Sequence, residues 1–308
     1  MREFVIPIST GLAIFLFGMQ VMRIGFEHLL LNKTKQMLSV LTNRPFSAFW
    51  IGTIVTAILQ SSSAVSLITI GLTHARILRL REAIAIMLGA NIGTCITTEL
   101  LAFDIYQLGL PFFIVGTCLF LMPNWLLKAS GLSIGGFGLL FIGMETMQSI
   151  LPMLKQAGWI EQMFTYGSAG VVQGVLSGSI LTAVIQSSTA TTAITMNLID
   201  EQLIPLHMAI ALVLGSNIGT CMTAVLGSIG ANKTSKQVAL AHVLLNVLGV
   251  LLFLPLISFL ADMVVFLTSS PMQQVAHAQT IFNVICSLVV LPFLPQFEKL
   301  VLFISGSR

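Results

Sequence analysis

Apolar stretches of about 20 residues recur along the chain, at 4–22, 83–103, 108–127, 132–154, 206–229, 238–261 and 275–297. A helix needs about 20 apolar residues to cross the hydrocarbon core of a bilayer. None of these stretches alternates with a period of two, so they predict about seven helical spans rather than barrel strands. Two further segments, about 46–74 and 172–199, break differently. Each has an apolar arm of roughly a dozen residues, then a polar cluster, then a second such arm. The clusters read "QSSSAVS" at 60–66 and "QSSTATT" at 186–192. One arm is too short to span, and one continuous helix would bury the cluster at the bilayer centre. A re-entrant helical hairpin that enters and leaves on one side meets both conditions. Its tip must then be covered by protein or line a cavity, because lipid offers a bare backbone no partner.

The pattern is also duplicated. A shift of 126 aligns "GTIVTAILQSSSAVSLIT" (52–69) with "GSILTAVIQSSTATTAIT" (178–195), and "AIAIMLGANIGTCIT" (83–97) with "AIALVLGSNIGTCMT" (209–223). A shift of 125 aligns "GLAIFLFGMQVM" (11–22) with "GFGLLFIGMETM" (136–147). Three blocks in one order at nearly one offset mark a duplicated unit. A weaker echo, at a shift of 37, joins "KQVALAHVLLNV" (236–247) to "QQVAHAQTIFNV" (273–284) and aligns Asn246 with Asn283. The expected organisation is a first membrane repeat over 1–130, a second over 131–265, and an additional C-terminal span over 266–308.

The first unit has three spans, at 4–22, 83–103 and 108–127. An odd number turns the second unit upside down, so the hairpins enter from opposite sides. This is the inverted-repeat plan of secondary transporters, whose sites form from broken helices at the repeat interface. Loop charge agrees. With the N-terminus outside and the C-terminus cytoplasmic, all Lys and Arg except Arg2 and Lys155 fall on the cytoplasmic side, as the positive-inside rule requires.

Composition removes the soluble alternative. Of 308 residues, 56% are hydrophobic and 8% charged, against about 25% charged in soluble domains. The net charge of +3 reports loop topology and is no argument for nucleic acid. Cys95, Cys118, Cys221 and Cys286 are scattered in apolar segments and read as small packing residues. The N-terminal run has Glu3 beside Arg2 and no small-residue cleavage site, so it reads as a retained first span.

Chemistry concentrates in the duplicated blocks. The second arm of each hairpin begins at the serine cluster, where a helix N-terminus leaves amides unpaired and favours anions. Ser61, Ser62 and Ser63 would face Ser187, Ser188 and Thr189 around such an anion. The twin segments "GANIGT" (89–94) and "GSNIGT" (215–220) place two glycines around an asparagine in mid-span. The glycines permit close packing or local unwinding. Unwound carbonyls, with oxygens of Asn91, Thr94, Asn217 and Thr220, would suit a hard cation such as Na+. Gln60 and Gln186 add side-chain oxygens at the ends of the first arms. No Lys or Arg lies in these cores, so a bound anion would need a co-bound cation.

These motifs together resemble the sodium–phosphate cotransporter family, which includes the type II vertebrate cotransporters. The resemblance covers nearly the whole chain and rests on "QSSSAVS", "QSSTATT" and the twin "NIGT" segments. It implies two inverted repeats with re-entrant hairpins and movement of phosphate with Na+, without a resident cofactor. Ser61, Ser62, Ser63, Ser187, Ser188 and Thr189 would form the substrate shell. Gln60, Gln186, Asn91 and Asn217 would be substrate or sodium ligands. Inorganic phosphate, Na+ and bilayer lipid are the implied partners, with a homodimer left open. Thr189 replaces a serine but keeps the hydroxyl. Many bacterial relatives carry a helical regulatory domain resembling PhoU after the membrane part, and this sequence reaches Arg308 without one. The pattern H-x-x-x-N is kept as His242 to Asn246, while Gln279 stands where relatives often have histidine and His277 lies two residues earlier.

Glu99 reads as an interface carboxylate or part of a cation path. Glu145, the twin of Gln20, reads as a buried hydrogen-bonding group. His242, Asn246, His277 and Asn283 read as ties between helices. A channel would show rings of charge or a lined filter, and no G-x-S-x-G, H-E-x-x-H or P-loop suggests an enzyme. The sequence therefore predicts a Na+-coupled phosphate symporter in the cell membrane that works by alternating access. Transport of another anion, H+ coupling or phosphate export on the same fold are the alternatives.

Overall fold

A computed structural model describes residues 2–39, 44–103, 105–149, 151–152 and 170–306. Within these the chain is helical and forms no strand. Six helical segments are long and apolar enough to cross a membrane: Ile6–Leu29, Leu80–Leu101, Trp125–Gln148, Leu206–Gly227, Lys233–Leu267 and Pro271–Ile304. The ends of the expected loops carrying Asp104, Lys155 and Glu161 lie outside the described residues.

The long first helix α1 (Arg2–Ser39) lies antiparallel to α6 (Trp125–Gln148). Gly11 meets Gly143, Gly18 meets Gly136, and Gly25 meets Ala129 and Ser133. Seven-residue spacing on both helices keeps the small residues on one seam. A Cβ on Gly136 would stand 2.2 Å from the Met22 amide nitrogen, so the seam admits nothing larger.

The expected span 108–127 contains α5 (Gly109–Phe120), a helix of 12 residues. At 1.5 Å per residue it covers about 18 Å, short of the roughly 30 Å core. Pro123 stops it, and Asn124 caps α6 by accepting from the Leu126 amide at 2.8 Å. Hence α6 starts at Trp125 rather than 132. Hydropathy alone could not place that boundary, because both sides of the turn are apolar.

Both predicted hairpins form. The first is α2 (Pro45–Leu59) with α3 (Ser62–His74), and it packs on α4 (Leu80–Leu101). The second is α7 (Val171–Ile185) with α8 (Ser188–Asp200), and it packs on α9 (Leu206–Gly227). The packing is the same in both copies. A Cβ on Gly89 would stand 2.0 Å from the Phe49 carbonyl oxygen, and one on Gly215 2.0 Å from that of Val175. The glycines of the Asn-Ile-Gly-Thr segments therefore serve close approach. The unwinding that the sequence left open does not occur: α4 and α9 run unbroken through Asn91 and Asn217, so their carbonyls remain in the helical ladder.

Two kinked helices complete the array. α10 (Lys233–Phe253) continues through a 3-10 turn at Leu254–Leu256 into α11 (Ile257–Leu267). α12 (Pro271–Val290) continues through one at Leu291–Phe293 into α13 (Leu294–Ile304). Pro255 and Pro292 produce the kinks by removing a donor. They lie 37 residues apart, the offset of the weak sequence echo.

Contacts order the two ends of the array. At one end Asn232 bonds the His74 carbonyl at 3.0 Å, and Arg81 pairs with Glu298 at 2.6 Å. At the other, Gln148 donates to Asp200 at 2.9 Å and Glu99 meets His277 at 3.0 Å. α4 runs from the first end to the second, Arg81 to Glu99. The first hairpin finishes at the first end with His74, and the second finishes at the other with Asp200.

Candidate functional site: the two hairpin tips

The two tips share one backbone. Gln60 closes α2 with φ 52° and ψ 31°, and Gln186 closes α7 with φ 61° and ψ 24°. A side chain in this left-handed region costs about 1–2 kcal/mol, and such outliers cluster where function requires them. Ser61 and Ser187 then turn extended and cap the next helix. The Ser61 hydroxyl accepts from the Ala64 amide at 3.1 Å, and that of Ser187 from Ala190 at 3.2 Å. The first intrahelical bonds are Val65 to the Ser61 carbonyl and Thr191 to that of Ser187. The amides of Ser62 and Ser63, and of Ser188 and Thr189, thus have no acceptor in their own helices. They make two positive helix ends suited to an anion.

The predicted residues divide by task. Ser61 and Ser187 are caps whose oxygens are already engaged, each with an O–H left to donate. Ser62, Ser188 and Thr189 are buried, while Ser61, Ser63 and Ser187 are half-buried. Gln60 is buried, its amide turned to the Ala57 carbonyl and its oxygen to the Thr97 hydroxyl. Gln186 is exposed and bonds only backward, to the Ala183 carbonyl at 3.3 Å. Asn91 and Asn217 are buried in mid-helix, where Asn91 donates to Asn246 at 3.4 Å and Asn217 to the Val213 carbonyl at 3.0 Å. The Thr94 and Thr220 hydroxyls donate to the carbonyls of Ala90 and Ser216.

Thr97 and Thr223 were missed by the sequence reading. Thr97 meets Gln60, and the Ser63 hydroxyl lies 3.5 Å from that of Thr223. Both threonines end the aligned blocks 83–97 and 209–223, so their pairing was visible but unused. A further difference sits behind the tips. Thr182 bonds Thr191 at 2.8 Å inside the second hairpin. In the first, valine occupies position 65, and the buried Thr56 hydroxyl has no protein partner.

A second polar layer holds the arms. Asn283 of α12 donates to Cys95 of α4 at 3.4 Å, and Asn246 of α10 to Cys221 of α9 at 3.3 Å. The two asparagines aligned by the weak echo therefore make the same tie to twin helices. Gln279, in place of histidine, accepts from Thr192 of the second hairpin at 3.1 Å. Glu99 is half-buried between His277 and the Thr280 hydroxyl, which lies 2.5 Å away. Glu145 is not the buried group expected: it is exposed in the last turn of α6, because that helix ends at Gln148.

An apolar cavity of about 450 Å³ abuts the first tip, between α1, α4, α5 and α6. Met22, Phe26, Phe112 and Phe137 line it, with Gln60 and Thr97 as its polar corner. Its walls suit hydrocarbon, so the helix ends and not this cavity are the place for an anion.

Comparison with known proteins bears on this geometry. The family described as Na+/Pi-cotransporter matches residues 14–149 and again 155–288. "Uncharacterized protein YqeW" of Bacillus subtilis is 35% identical over 269 residues, 87% of each chain. "Putative inorganic phosphate export protein YjbB" of Escherichia coli is 26% identical over 82% of this chain but only 47% of its own length. The human "Sodium-dependent phosphate transport protein 2B" is 38% identical over 86 residues, 27% of this chain and 12% of that protein. No solved structure matches the chain.

Proposed function

Because the chain belongs to the Na+/Pi-cotransporter family, we propose that it moves inorganic phosphate together with Na+ across the cell membrane by alternating access. The carrying observation is the pair of hairpin tips with one backbone and unpaired helix-start amides. Phosphate sits between the ends of α3 and α8. It is held by the amides of Ser62, Ser63, Ser188 and Thr189 and by hydroxyls of Ser61 to Ser63 and Ser187 to Thr189. No Lys or Arg lies in 45–75 or 171–200. An unneutralised anion is costly in such surroundings, which favours a co-bound Na+. Oxygens of Gln60, Gln186, Asn91, Thr94, Asn217 and Thr220 are its ligands in this reading.

The inverted-repeat arrangement has independent support. Twin helices α1 and α6 run antiparallel, and the hairpins finish at opposite ends of the array. The end with Arg76, Arg79, Arg81, Lys233, Lys236 and Lys299 is cytoplasmic by charge. This puts the N-terminus outside. Export is the second reading of direction, favoured by the printed name of the Escherichia coli relative. The reaction is translocation, with no bond made or broken.

The test is labelled-phosphate flux in proteoliposomes under an imposed Na+ gradient, with a K+ gradient as control. Wild type should accumulate phosphate only with Na+. The Ser62→Ala/Ser188→Ala protein should lose at least roughly tenfold in flux, the effect of about 1.4 kcal/mol. Flux indifferent to Na+ would remove the cation from the mechanism, and flux of another anion alone would remove phosphate.

A further inference from the structure

The tips match in backbone and differ in what they touch. At the first, Thr97 of α4 donates to Gln60, and Ser63 lies 3.5 Å from Thr223 of α9. A shift of 126 maps these contacts onto Gln186 with Thr223 and Thr189 with Thr97. Gln186 is instead exposed and turned back to Ala183. The threonines record the same asymmetry: Thr97 is 3% exposed, whereas Thr223 is only half-buried. The first hairpin is therefore docked on both threonines and the second is not.

We propose that Thr97 and Thr223 are positioning residues on which the two hairpins dock in turn. This rests on the alternating-access reading. In the state seen here the first hairpin is latched and the second is released. In the opposite state Gln186 takes Thr223, Thr189 takes Thr97, and Gln60 is released. Each threonine hydroxyl can donate one hydrogen bond and accept others, so both hairpins can dock together while phosphate is enclosed. Each threonine stands at the same turn of a twin helix that is itself locked to its hairpin at Gly89 or Gly215. Docking thus needs no change within α4 or α9, only movement of a tip. Bond exchange between equivalent partners also leaves the two end states close in energy, which reversible cycling requires.

The test joins cysteine pairs with a short bifunctional methanethiosulfonate reagent in proteoliposomes, in a chain carrying Cys118→Ala. The other three cysteines are buried, and the same chain without an added pair controls for them. Gln60→Cys/Thr97→Cys should react in the resting protein. Gln186→Cys/Thr223→Cys, apart here, should react only weakly at rest and more when Na+ and phosphate are supplied. Joining either pair should stop flux, and reduction should restore it. Thr97→Ser should keep flux, and Thr97→Val should lower it roughly tenfold, as expected for one unpaired buried group. Flux with no reaction at 186–223 under any condition, or flux that survives joining 60–97, overturns the latch and leaves the transporter reading intact. Reaction at 186–223 that rises with Na+ and another anion, but without phosphate flux, supports the latch and removes phosphate as substrate.

Discussion

A serine that caps a helix and a serine that binds an anion look alike in a sequence, yet they fail differently when changed. Ser187 accepts from the Ala190 amide, so Ser187→Ala removes a cap and should lower stability by about 1 kcal/mol. Ser62 follows the cap and begins the helix, so Ser62→Ala should leave the unfolding temperature in detergent unchanged within error while weakening phosphate binding. Thermal unfolding with and without phosphate reads both. A stability loss from Ser62→Ala equal to that from Ser187→Ala would make the whole cluster structural. The cluster was legible in the sequence because it is duplicated and polar amid apolar arms. Its division into caps and ligands was not, since that depends on where the left-handed residue falls. Thr97 escaped for a related reason: a threonine inside an apolar helix ordinarily bonds its own backbone, and only its distance to Gln60 marks it out.

Among the elements, the hairpins and their partner helices could be read from repeats, whereas α5 could not. Hydropathy sees one apolar stretch through 108–127, but Pro123 and the Asn124 cap cut it. The Asn-Ile-Gly-Thr segments were ambiguous because glycine serves both unwinding and close packing. The structure decides for packing, and this has a measurable consequence. Gly89→Ala places a methyl 2.0 Å from the Phe49 carbonyl oxygen, a backbone atom that can yield only if α2 moves. The expected cost is about 1–3 kcal/mol, typical of overpacking. It should appear as a lower unfolding temperature and weaker flux. Gly71→Ala, where nothing lies within 4 Å, is the matched control. Equal behaviour of the two variants would restore the flexible-helix reading of this segment and with it a backbone contribution to cation binding.

For the whole molecule, orientation is the property on which the direction of coupling depends, and charge supplies it. Arg76, Arg79 and Arg81 follow the first hairpin, and Lys233 and Lys236 open α10 at the same end of the array. Asp200 and Glu201 lie at the other end, beside Gln148. Lys and Arg in short loops resist translocation, whereas acidic residues contribute little. The basic end should therefore be cytoplasmic. Ala75 and Gln202 are exposed and mark the two ends. In intact cells, with Cys118→Ala as background, an impermeant thiol reagent should modify Gln202→Cys and spare Ala75→Cys until the membrane is opened. Both sites lie in turns after the hairpins, so the comparison needs no span to be counted and is untouched by the short α5. Labelling of Ala75→Cys alone would turn the molecule over. The hairpin that is released here would then face the cytoplasm, and the state seen would be the inward one. Labelling of both from outside would place the two hairpin mouths on one side, and alternating access between opposed hairpins would fail with the inverted repeat that supports it.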